Sequence, residues 1–376
     1  MIKRNKVFIS KFIIHKVGNK FNSAKNVFSE DVVTFDEDSY KLMQPFLLKP
    51  FGNLTESYRF NHHADINLNE INSYAKHLFE DEKLNGCLRF KGGTSLSKCY
   101  NVIERFSEDI DLILDWTTVT IEDPIGEVCS KENSNKDKRS KTKQRKLNQS
   151  INELAQAYIA ETLLPRLRHL MGEICSVSID TEDPHTVNIT YPKAFGSEYL
   201  RPQVRLEIGP LAAMLPMEMC DVKPYAAQYF PRVFEQTKVS VPTIVLARTF
   251  WEKLTILHAE AHRPARTMLP ARYARHYYDV TKLAHSGMGK TALANSQLLK
   301  DVVLFKQRFY PSGWANYETA TLADLRLQPS VDHIDALRGD YQQMQEMLFG
   351  VKPSFDSILE TLITLEDDIH SLARNN

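Results

Sequence analysis

Alternating apolar and polar residues predict several β-strands in the middle of the chain. In "DIDLIL", residues 109–114, Ile110 and Leu112 would face a core while the two aspartates share the opposite face. In "QVRLEIGP", residues 203–210, the same period separates three apolar residues from an arginine and a glutamate. The stretches "CLRF", "VSID" and "TVNITYP" are further predicted strands, bounded by turn residues.

Apolar residues at helical spacing separate and follow these strands. "SLSKCYNVIERF", residues 95–106, predicts a helix between "CLRF" and "DIDLIL", and a longer helix is predicted over about residues 147 to 171. From about Val245 onward the chain is mostly helical, and "VLARTFWEKLTILHAEAHR" carries an apolar stripe. The mixture of strands and helices predicts an α+β chain.

The first 83 residues differ from the rest. "KVFISKFIIHKVG" predicts a strand, "DEDSYKLMQPFLLKPF" a helix that ends at Pro45 or Pro50, and "LNEINSYAKHLFEDEK" a second helix. We therefore predict an atypical N-terminal segment, residues 1–83, a central domain, residues 84–240, and a helical C-terminal domain, residues 241–376.

Composition narrows the class of protein. The 376 residues are 43% hydrophobic and 25% charged, with zero formal net charge, so any nucleic-acid-binding surface must be local. The five cysteines form no CxxC pair, which argues against a disulfide framework or a cysteine-rich zinc site. No apolar run reaches the ~18 residues of a membrane span, and the N-terminus lacks the apolar core of a signal peptide. We therefore expect a cytoplasmic protein without membrane contact.

The pair Asp109 and Asp111 is the first candidate for chemistry. Because alternate residues of a strand share a face, the two carboxylates lie side by side and repel each other. Mg²⁺ prefers carboxylate oxygen and keeps positions open for water and substrate phosphates, so it would relieve that repulsion. The alternative is a solvent-facing strand end without a ligand.

A turn rich in glycine and hydroxyl residues precedes this pair. Gly92 and Gly93 stand where a strand gives way to a helix, and Thr94 and Ser95 offer hydroxyl groups at the helix start. Unpaired N–H groups at the start of a helix can bind phosphate. Alone, the turn would be an ordinary helix cap; together with the aspartates it predicts a nucleotide–metal site.

These two motifs resemble a known family. "FKGGTSLSK" followed by "ERFSEDIDL" is similar to the signature of the AbiEii/AbiGii-type nucleotidyltransferase toxins, a branch of the DNA polymerase β-like nucleotidyltransferase superfamily. The resemblance covers roughly residues 85 to 300. It implies a nucleotidyltransferase fold, with a small mixed sheet flanked by helices in a catalytic domain and a mostly helical C-terminal domain. Carried onto this sequence, it implies that metal is bound by Asp109 and Asp111, and nucleotide by Gly92, Gly93, Thr94, Ser95 and Lys98.

A third carboxylate is expected from a later strand, because such sites use two divalent ions. In "QVRLEIGP", Glu207 projects with Arg205 from the face opposite the apolar residues. An exposed strand face is the alternative. "VRLEIG" resembles the family's third-carboxylate strand, which implies that Glu207 is a metal ligand and a catalytic residue.

Two further site residues are predicted on the later helices. Lys253 lies beside the apolar stripe, where a lysine either reaches outward to solvent or meets an anion. "TFWEKL" resembles the family's lysine helix, which implies that Lys253 binds nucleotide phosphates and offsets charge in the transition state. "ARYARHYYDVTKL" resembles the family's RHxYD helix, so Asp279 would orient the lysine or act as a base. His276 stands where many members carry aspartate.

Basic residues cluster around that motif. The stretch from 261 to 278 has no Asp or Glu and contains four arginines that are predicted to bind RNA: Arg263, Arg266, Arg272 and Arg275. The basic stretch 131–146 is predicted as a solvated loop or helix end that meets RNA phosphates. A solvated basic face is the alternative for both. His258 and His262 lack the glutamate position of a zinc metalloprotease, so we expect them at the surface or facing RNA.

Together, these features predict a metal-dependent nucleotidyltransferase that acts as the toxin of a toxin–antitoxin, or abortive infection, system. It would use an NTP with Mg²⁺ or Mn²⁺ and transfer a nucleotidyl group to RNA, with tRNA as a candidate, or to a protein. A cognate antitoxin is expected as a partner. Two alternatives stay open: a non-catalytic module that binds RNA or an antitoxin, and a nucleoid-associated DNA-binding protein. The second rests on a loose resemblance of residues 1–83 to the N-terminus of a nucleoid-associated protein family.

Overall fold

The computed structural model describes most of the chain after residue 85 and short pieces before it. The described residues are 6–8, 27–29, 32–34, 79, 81, 84, 86–105, 107, 109–115, 140–171, 175–190, 203–223 and 238–375. The first helix predicted within residues 1–83, all of the second except Phe79 and Asp81, and residues 131–139 of the basic stretch lie outside them.

The described strands form two sheets. A small antiparallel sheet has the order β1-β3-β2, from β1 (Lys6–Phe8), β2 (Val27–Ser29) and β3 (Val32–Thr34). The central sheet contains β4 (Leu88–Phe90), β5 (Asp109–Leu114), β6 (Ser176–Ile179), β7 (Thr186–Thr190), β8 (Gln203–Gly209), β9 (Met217–Val222) and β10 (Val239–Ile244). Its order is β6-β7-β8-β5-β4-β10-β9, and it is mixed, because β5 runs parallel to β8 and β4 parallel to β10.

The helices lie between and after these strands. They are α1 (Gly92–Lys98), α2 (Lys141–Tyr158), α3 (Leu164–Met171), α4 (Leu246–Ala261), α5 (Ala274–His285), α6 (Gly287–Leu293), α7 (Ser296–Phe309), α8 (Ile334–Met344) and α9 (Phe355–Asn375). A π-helical turn, Ile159–Leu163, joins α2 to α3, and short 3₁₀ turns occur at Tyr317–Thr319, Val331–His333 and Gln345–Met347. The predicted α+β class, with a mixed sheet and a mostly helical C-terminal part, is confirmed.

One face of the central sheet is apolar and the other is polar. Leu112 of β5 and Leu206 and Ile208 of β8 are buried in a core shared with α2 and α3, where Ile159 and Leu167 are fully buried. Because alternate side chains of a strand point to opposite faces, the acidic residues of β5 and β8 must project from the other face. The alternation in the sequence therefore predicted the orientation of both strands correctly.

A second hydrophobic core packs the later helices against one another and against the helix that begins at the glycine turn. Phe250 and Trp251 of α4 and Tyr277 of α5 are fully buried there. Leu96 of α1 and Ile103, which follows it, belong to the same core. The packing of these apolar residues brings the helices that carry Lys253 and Asp279 against the turn that begins α1.

Two predicted helices have different bounds in the structure. The helix predicted over 95–106 begins at Gly92 and ends at Lys98, and Asn101 then adopts a left-handed φ of 54°. The chain after it is extended, and Arg105 pairs with Leu348 in an isolated bridge. The helix predicted over 147–171 begins at Lys141, because Ser140 caps it by accepting a hydrogen bond from the Lys143 N–H.

The predicted domain division stays a prediction. Strand β10 runs from Val239 to Ile244 and so crosses the predicted boundary at residue 240. Among the residues that the structure describes, no helix has the length and apolar character needed to cross a membrane.

Candidate active site

Three carboxylates project from the same face of two neighbouring strands of the central sheet. In the parallel pair of β5 and β8, Asp111 is the register partner of Glu207, and Asp109 is the partner of Arg205. Asp109 and Asp111 share one face because they are two residues apart, and Glu207 projects from the same face of the next strand. The structure thus brings together the three residues that were predicted to bind metal.

The Arg205 side chain contacts this group of acidic residues from within the sheet. Its Nε lies 3.4 Å from Oδ1 of Asp109 and its Nη2 lies 3.6 Å from Oε1 of Glu207. Its Nη1 donates a shorter hydrogen bond of 3.0 Å to Oδ2 of Asp180. Arg205 had been placed on this face from the sequence, but no role had been assigned to it or to Asp180.

The donor types on this face fit a hard divalent cation. The donors are carboxylate oxygens, which suit Mg²⁺ and Mn²⁺. Burial raises the pKa of Glu207, and the charges of Asp109 and Asp111 raise it further, so the carboxylates crowd one another. Within the described residues, no three His, Cys, Asp or Glu side chains are grouped closely enough to hold a metal ion as they stand. A bound cation would relieve the crowding after a small rearrangement of these side chains.

The glycine turn approaches the carboxylate pair closely. Gly92 has a φ of +76°, and a Cβ atom at this position would lie 1.8 Å from Oδ2 of Asp111. A Cβ atom on Gly93 would lie 2.4 Å from Nη2 of Arg105. The Lys91 N–H donates to the carbonyl of Asp111 at 3.1 Å. Glycine is therefore favoured at position 92 by both its φ and this close contact, a side chain at position 93 would displace the Arg105 guanidinium, and the turn is held directly against β5.

We expect Gly92→Ala to lower both stability and activity. An alanine in the left-handed region is strained by about 1–3 kcal/mol, and its methyl group would displace the Asp111 carboxylate. The free energy of unfolding in urea and nucleotidyl transfer are the measurements. Gly339→Ala in α8 is the control, because a Cβ atom there meets nothing within 4 Å, and it should stabilise the helix by about 0.5–1 kcal/mol. Equal effects of the two substitutions would contradict the close approach at Gly92.

The hydroxyl groups of the turn have structural partners. Thr94 donates from Oγ1 to the backbone carbonyl of Asp109 at 2.6 Å. Ser95 is fully buried and donates from Oγ to the carbonyl of Gly92 at 2.8 Å. The Ser95 side chain therefore braces the turn, and a nucleotide contact by this residue would have to come from its backbone N–H.

Lys253 and Asp279 meet in a buried ion network with Arg105. The Nζ of Lys253 lies 2.8 Å from Oδ2 of Asp279, and Arg105 donates from Nε and Nη2 to the two carboxylate oxygens at 2.7 and 2.9 Å. The side chains of Lys253, Asp279 and Arg105 are 8%, 0% and 4% exposed. Burial alone would raise the pKa of Asp279, but the charges of Arg105 and Lys253 outweigh burial and hold that pKa well below its usual range. Asp279 thus bonds both Lys253 and Arg105 away from solvent.

The start of α5 connects this network to the carboxylates. Nη1 of Arg275 lies 4.0 Å from Oδ2 of Asp109. Burial and the charges of Lys253 and Arg275 hold the pKa of His276 well below its usual value, so its imidazole is neutral near pH 7. The five residues predicted to be catalytic therefore surround the glycine turn through direct contacts and shared neighbours.

Lys98, which was predicted to bind nucleotide, lies at the last position of α1. Burial lowers its pKa to about 7, far below the usual value for lysine. Between pH 7 and 10 the folded protein therefore holds fewer protons on Lys98 than the unfolded chain does, and its contribution to stability rises with pH.

We expect Lys98→Met to remove that rise in stability between pH 7 and pH 9 and to weaken NTP binding. Thermal unfolding at the two pH values and equilibrium binding of an NTP are the measurements. Lys300→Met, at an exposed position of α7, is the control and should change neither. Unchanged NTP affinity of Lys98→Met would remove Lys98 from the predicted nucleotide site.

The four arginines predicted to bind RNA do not share one environment. Arg263 donates from Nε and Nη2 to Glu260 at 2.6 and 2.9 Å, and its guanidinium lies 4.6 Å from the ring centroid of Trp314. Its side chain is 8% exposed. Arg263 therefore does not fit an RNA contact. Glu260 lies one residue before the stretch 261–278, which contains no Asp or Glu, so the composition of that stretch did not indicate the ion pair with Arg263.

The other three arginines line two adjoining cavities. Arg272 and Arg275 line a cavity of about 150 Å³ that also touches Asp109. Arg266 lines a neighbouring cavity, and the two cavities share Ala271 and Asp340. Three of the four predicted arginines thus line two neighbouring cavities, one of which touches a predicted metal ligand.

The expectation for the histidine pair of α4 was wrong for His258. This residue is fully buried, its Nε2 lies 3.0 Å from the carbonyl oxygen of Asn316, and its Nδ1 accepts a hydrogen bond from the Arg326 N–H at 3.0 Å. Burial lowers its pKa to about 4. The loop around Asn316 and Arg326 covers this side of α4, which the local sequence of the helix could not indicate.

Comparison with known proteins agrees with the geometry of the site. The model of a family described as "Nucleotidyl transferase AbiEii toxin, Type IV TA system" matches residues 76–361, well over half of the chain. No curated protein sequence gives a significant match.

Two solved structures show distant similarity. JHP933 from Helicobacter pylori is 14% identical, with 81% of this chain and 91% of that chain covered and a TM-score of 0.39. MenT4, a nucleotidyltransferase toxin from Mycobacterium tuberculosis H37Rv, is 16% identical, with 81% and 92% covered and a TM-score of 0.34. Similarity at this level decides neither fold nor function, so the assignment depends on the family match. The chain belongs to the AbiEii nucleotidyltransferase toxins of type IV toxin–antitoxin systems.

Proposed function

We propose that this toxin transfers a nucleotidyl group from an NTP to an acceptor hydroxyl and releases pyrophosphate, with Mg²⁺ or Mn²⁺ bound by Asp109, Asp111 and Glu207. The observation that supports it most is the register of β5 and β8, which sets Glu207 opposite Asp111 beneath the glycine turn. When bound, the metal would neutralise charge on the transferring phosphoryl group and activate the attacking oxygen. Membership of a type IV toxin–antitoxin family implies a nucleotide substrate and an antitoxin partner.

The triphosphate is assigned to the glycine turn and to Lys253. The turn at residues 92–95 brings its backbone to the carboxylates, since both glycines approach neighbouring side chains too closely for a Cβ atom. Lys253 belongs to a network in which Asp279 also bonds Arg105. Asp279 holds the lysine in place, and the Lys253 ammonium group would stabilise negative charge on the phosphates. Asp279 is thus proposed as a positioning residue rather than a base, because its carboxylate is already engaged by both cations.

The acceptor is assigned to the arginine-lined cavities. Arg275 lies 4.0 Å from Asp109, and Arg272 lines the same cavity. Guanidinium groups bind phosphate in a planar, bidentate manner. A chain of phosphates that ends near the metal site is the geometry needed by an RNA 3′ end, and tRNA is our candidate. A protein hydroxyl is the second candidate acceptor.

Labelled NTPs test this proposal. Each of the four α-³²P-labelled NTPs is incubated with the purified toxin, Mg²⁺ and either total tRNA or total protein. We expect label in the tRNA fraction that requires Mg²⁺ and is abolished by EDTA. Label in protein instead would identify the other acceptor, and no label with any NTP and either acceptor would contradict the proposed reaction.

A further inference from the structure

A row of polar side chains crosses four strands of the sheet beside the carboxylates. Ser178 of β6 pairs with Asn188 of β7, which pairs with Arg205 of β8, which pairs with Asp109 of β5. Asp180 lies at the end of β6, next to this row. The guanidinium of Arg205 therefore has an acidic residue on each side, Asp180 towards the sheet edge and Asp109 towards the site.

Asp180 is a firmly held anchor for the arginine. Its Oδ1 accepts hydrogen bonds from the N–H groups of Glu182 and Asp183 at 2.9 and 3.2 Å. Its Oδ2 accepts from Nδ2 of Asn188 at 2.9 Å and from Nη1 of Arg205 at 3.0 Å. Both oxygens are thus bonded twice, which fixes the carboxylate in one orientation.

The contacts of Arg205 on the site side are longer. Its nitrogens lie 3.4 Å from Asp109 and 3.6 Å from Glu207, beyond the usual range of a charge-assisted hydrogen bond. The guanidinium therefore lies close to two proposed metal ligands, Asp109 and Glu207. Its shortest hydrogen bond, however, is to Asp180, which is not a proposed metal ligand. A positive charge in this position both balances the carboxylates and opposes the approach of another cation.

We propose that Arg205 is a built-in counter-ion that competes with the divalent metal for Asp109 and Glu207, and that Asp180 is the positioning residue that restrains it. This inference rests on the proposed metal site and adds two residues that set the metal affinity. Without metal, Arg205 offsets the repulsion among the carboxylates. With metal, it keeps its bond to Asp180 and gives up its longer contacts to Asp109 and Glu207.

The two residues then have opposite effects on metal binding. Arg205→Gln removes the competing charge, so the metal should bind more tightly and the metal-free protein should be less stable. In Asp180→Asn, an amide NH₂ replaces one carboxylate oxygen, so the charge that holds Arg205 is lost and one oxygen can no longer accept both from Arg205 and from the two backbone N–H groups. The released guanidinium would move towards Asp109 and Glu207, so the metal should bind more weakly. A purely structural role would weaken metal binding in both variants.

The proposal is tested by titrating the full-length protein with Mn²⁺ in the absence of NTP. Electron paramagnetic resonance measures the concentration of the free ion. We expect about tenfold tighter binding for Arg205→Gln, from the loss of a unit charge beside a divalent ion in a polar surrounding. Asp180→Asn should bind several-fold more weakly than the wild type. Asp183→Asn is the matched control: it removes one charge from the same turn, but its carboxylate bonds the His185 N–H and the Thr186 hydroxyl, not Arg205.

Each outcome decides the matter. Unchanged or weaker binding by Arg205→Gln overturns the proposal, as does an Asp180→Asn affinity equal to that of Asp183→Asn. If Arg205→Gln does not fold, the comparison of Asp180→Asn with Asp183→Asn decides alone. A wild-type protein that binds Mn²⁺ while the variants fail these expectations leaves the proposed function intact. A wild-type protein that binds no Mn²⁺ overturns both this proposal and the proposed metal site.

Discussion

Asp111→Asn is expected to reduce nucleotidyl transfer on the order of a thousandfold, because stabilising charge on the transferring phosphoryl group is worth several kcal/mol. Asp111 lies opposite Glu207 and directly under Gly92, so it is central to the proposed metal site. The assay is the Mg²⁺-dependent labelling of acceptor by the preferred NTP.

The same substitution should leave the fold intact. Burial and then the charges of Asp109 and Asp111 raise the pKa of Glu207, so those two charges oppose the ionisation of the third carboxylate. Removing one negative charge should therefore leave the unfolding temperature unchanged or higher. Asp115→Asn, four residues farther along the chain, beyond the end of β5, is the control and should keep near wild-type activity. Full activity of Asp111→Asn would exclude it as a metal ligand, and a large loss of stability would mean that its role is structural.

Asp279→Ala is expected to lower the free energy of unfolding by about 3–5 kcal/mol, because it removes a buried carboxylate that bonds two buried cations. Arg105 and Lys253 are 4% and 8% exposed and both bond this carboxylate. Because neighbouring charges hold the pKa of Asp279 far below its unfolded value, its stabilising contribution is complete above about pH 4 and declines as the pH falls further. Urea unfolding at neutral and acidic pH measures both effects.

Two further variants separate the causes of that loss. Asp356→Ala breaks the exposed pair with Arg338, in which the two side chains are 68% and 39% exposed, and it should change stability little. Replacing Asp279 by Leu together with Arg105→Met and Lys253→Met removes every buried charge of the network. That triple variant should recover most of the stability without recovering activity. Recovery of activity in it would contradict the proposed role of Lys253.

The sequence by itself determined the local features of the site. Because strand side chains alternate, "DIDLIL" and "QVRLEIGP" were sufficient to orient Asp109, Asp111 and Glu207 away from the core, and the structure agrees. The glycine turn was also predictable, since only glycine tolerates a φ of +76° and the approach to Asp111. The family resemblance added the two distant residues, Lys253 and Asp279, which periodicity could not connect to the turn.

Only the tertiary structure decided which charges neutralise one another. The structure forms three ion pairs that the sequence patterns did not indicate: Arg105 with Asp279, Arg205 with Asp180, and Arg263 with Glu260. From the patterns, Arg105 was expected in a helix, Arg205 on a strand face and Arg263 at an RNA contact. Strand register and helix packing bring these partners together, often across many residues of sequence. The energy of a charge depends on its burial and on its neighbours in space rather than along the chain. For that physical reason, sequence could identify the acidic residues of this toxin, and only the folded structure could show which arginines pair with them.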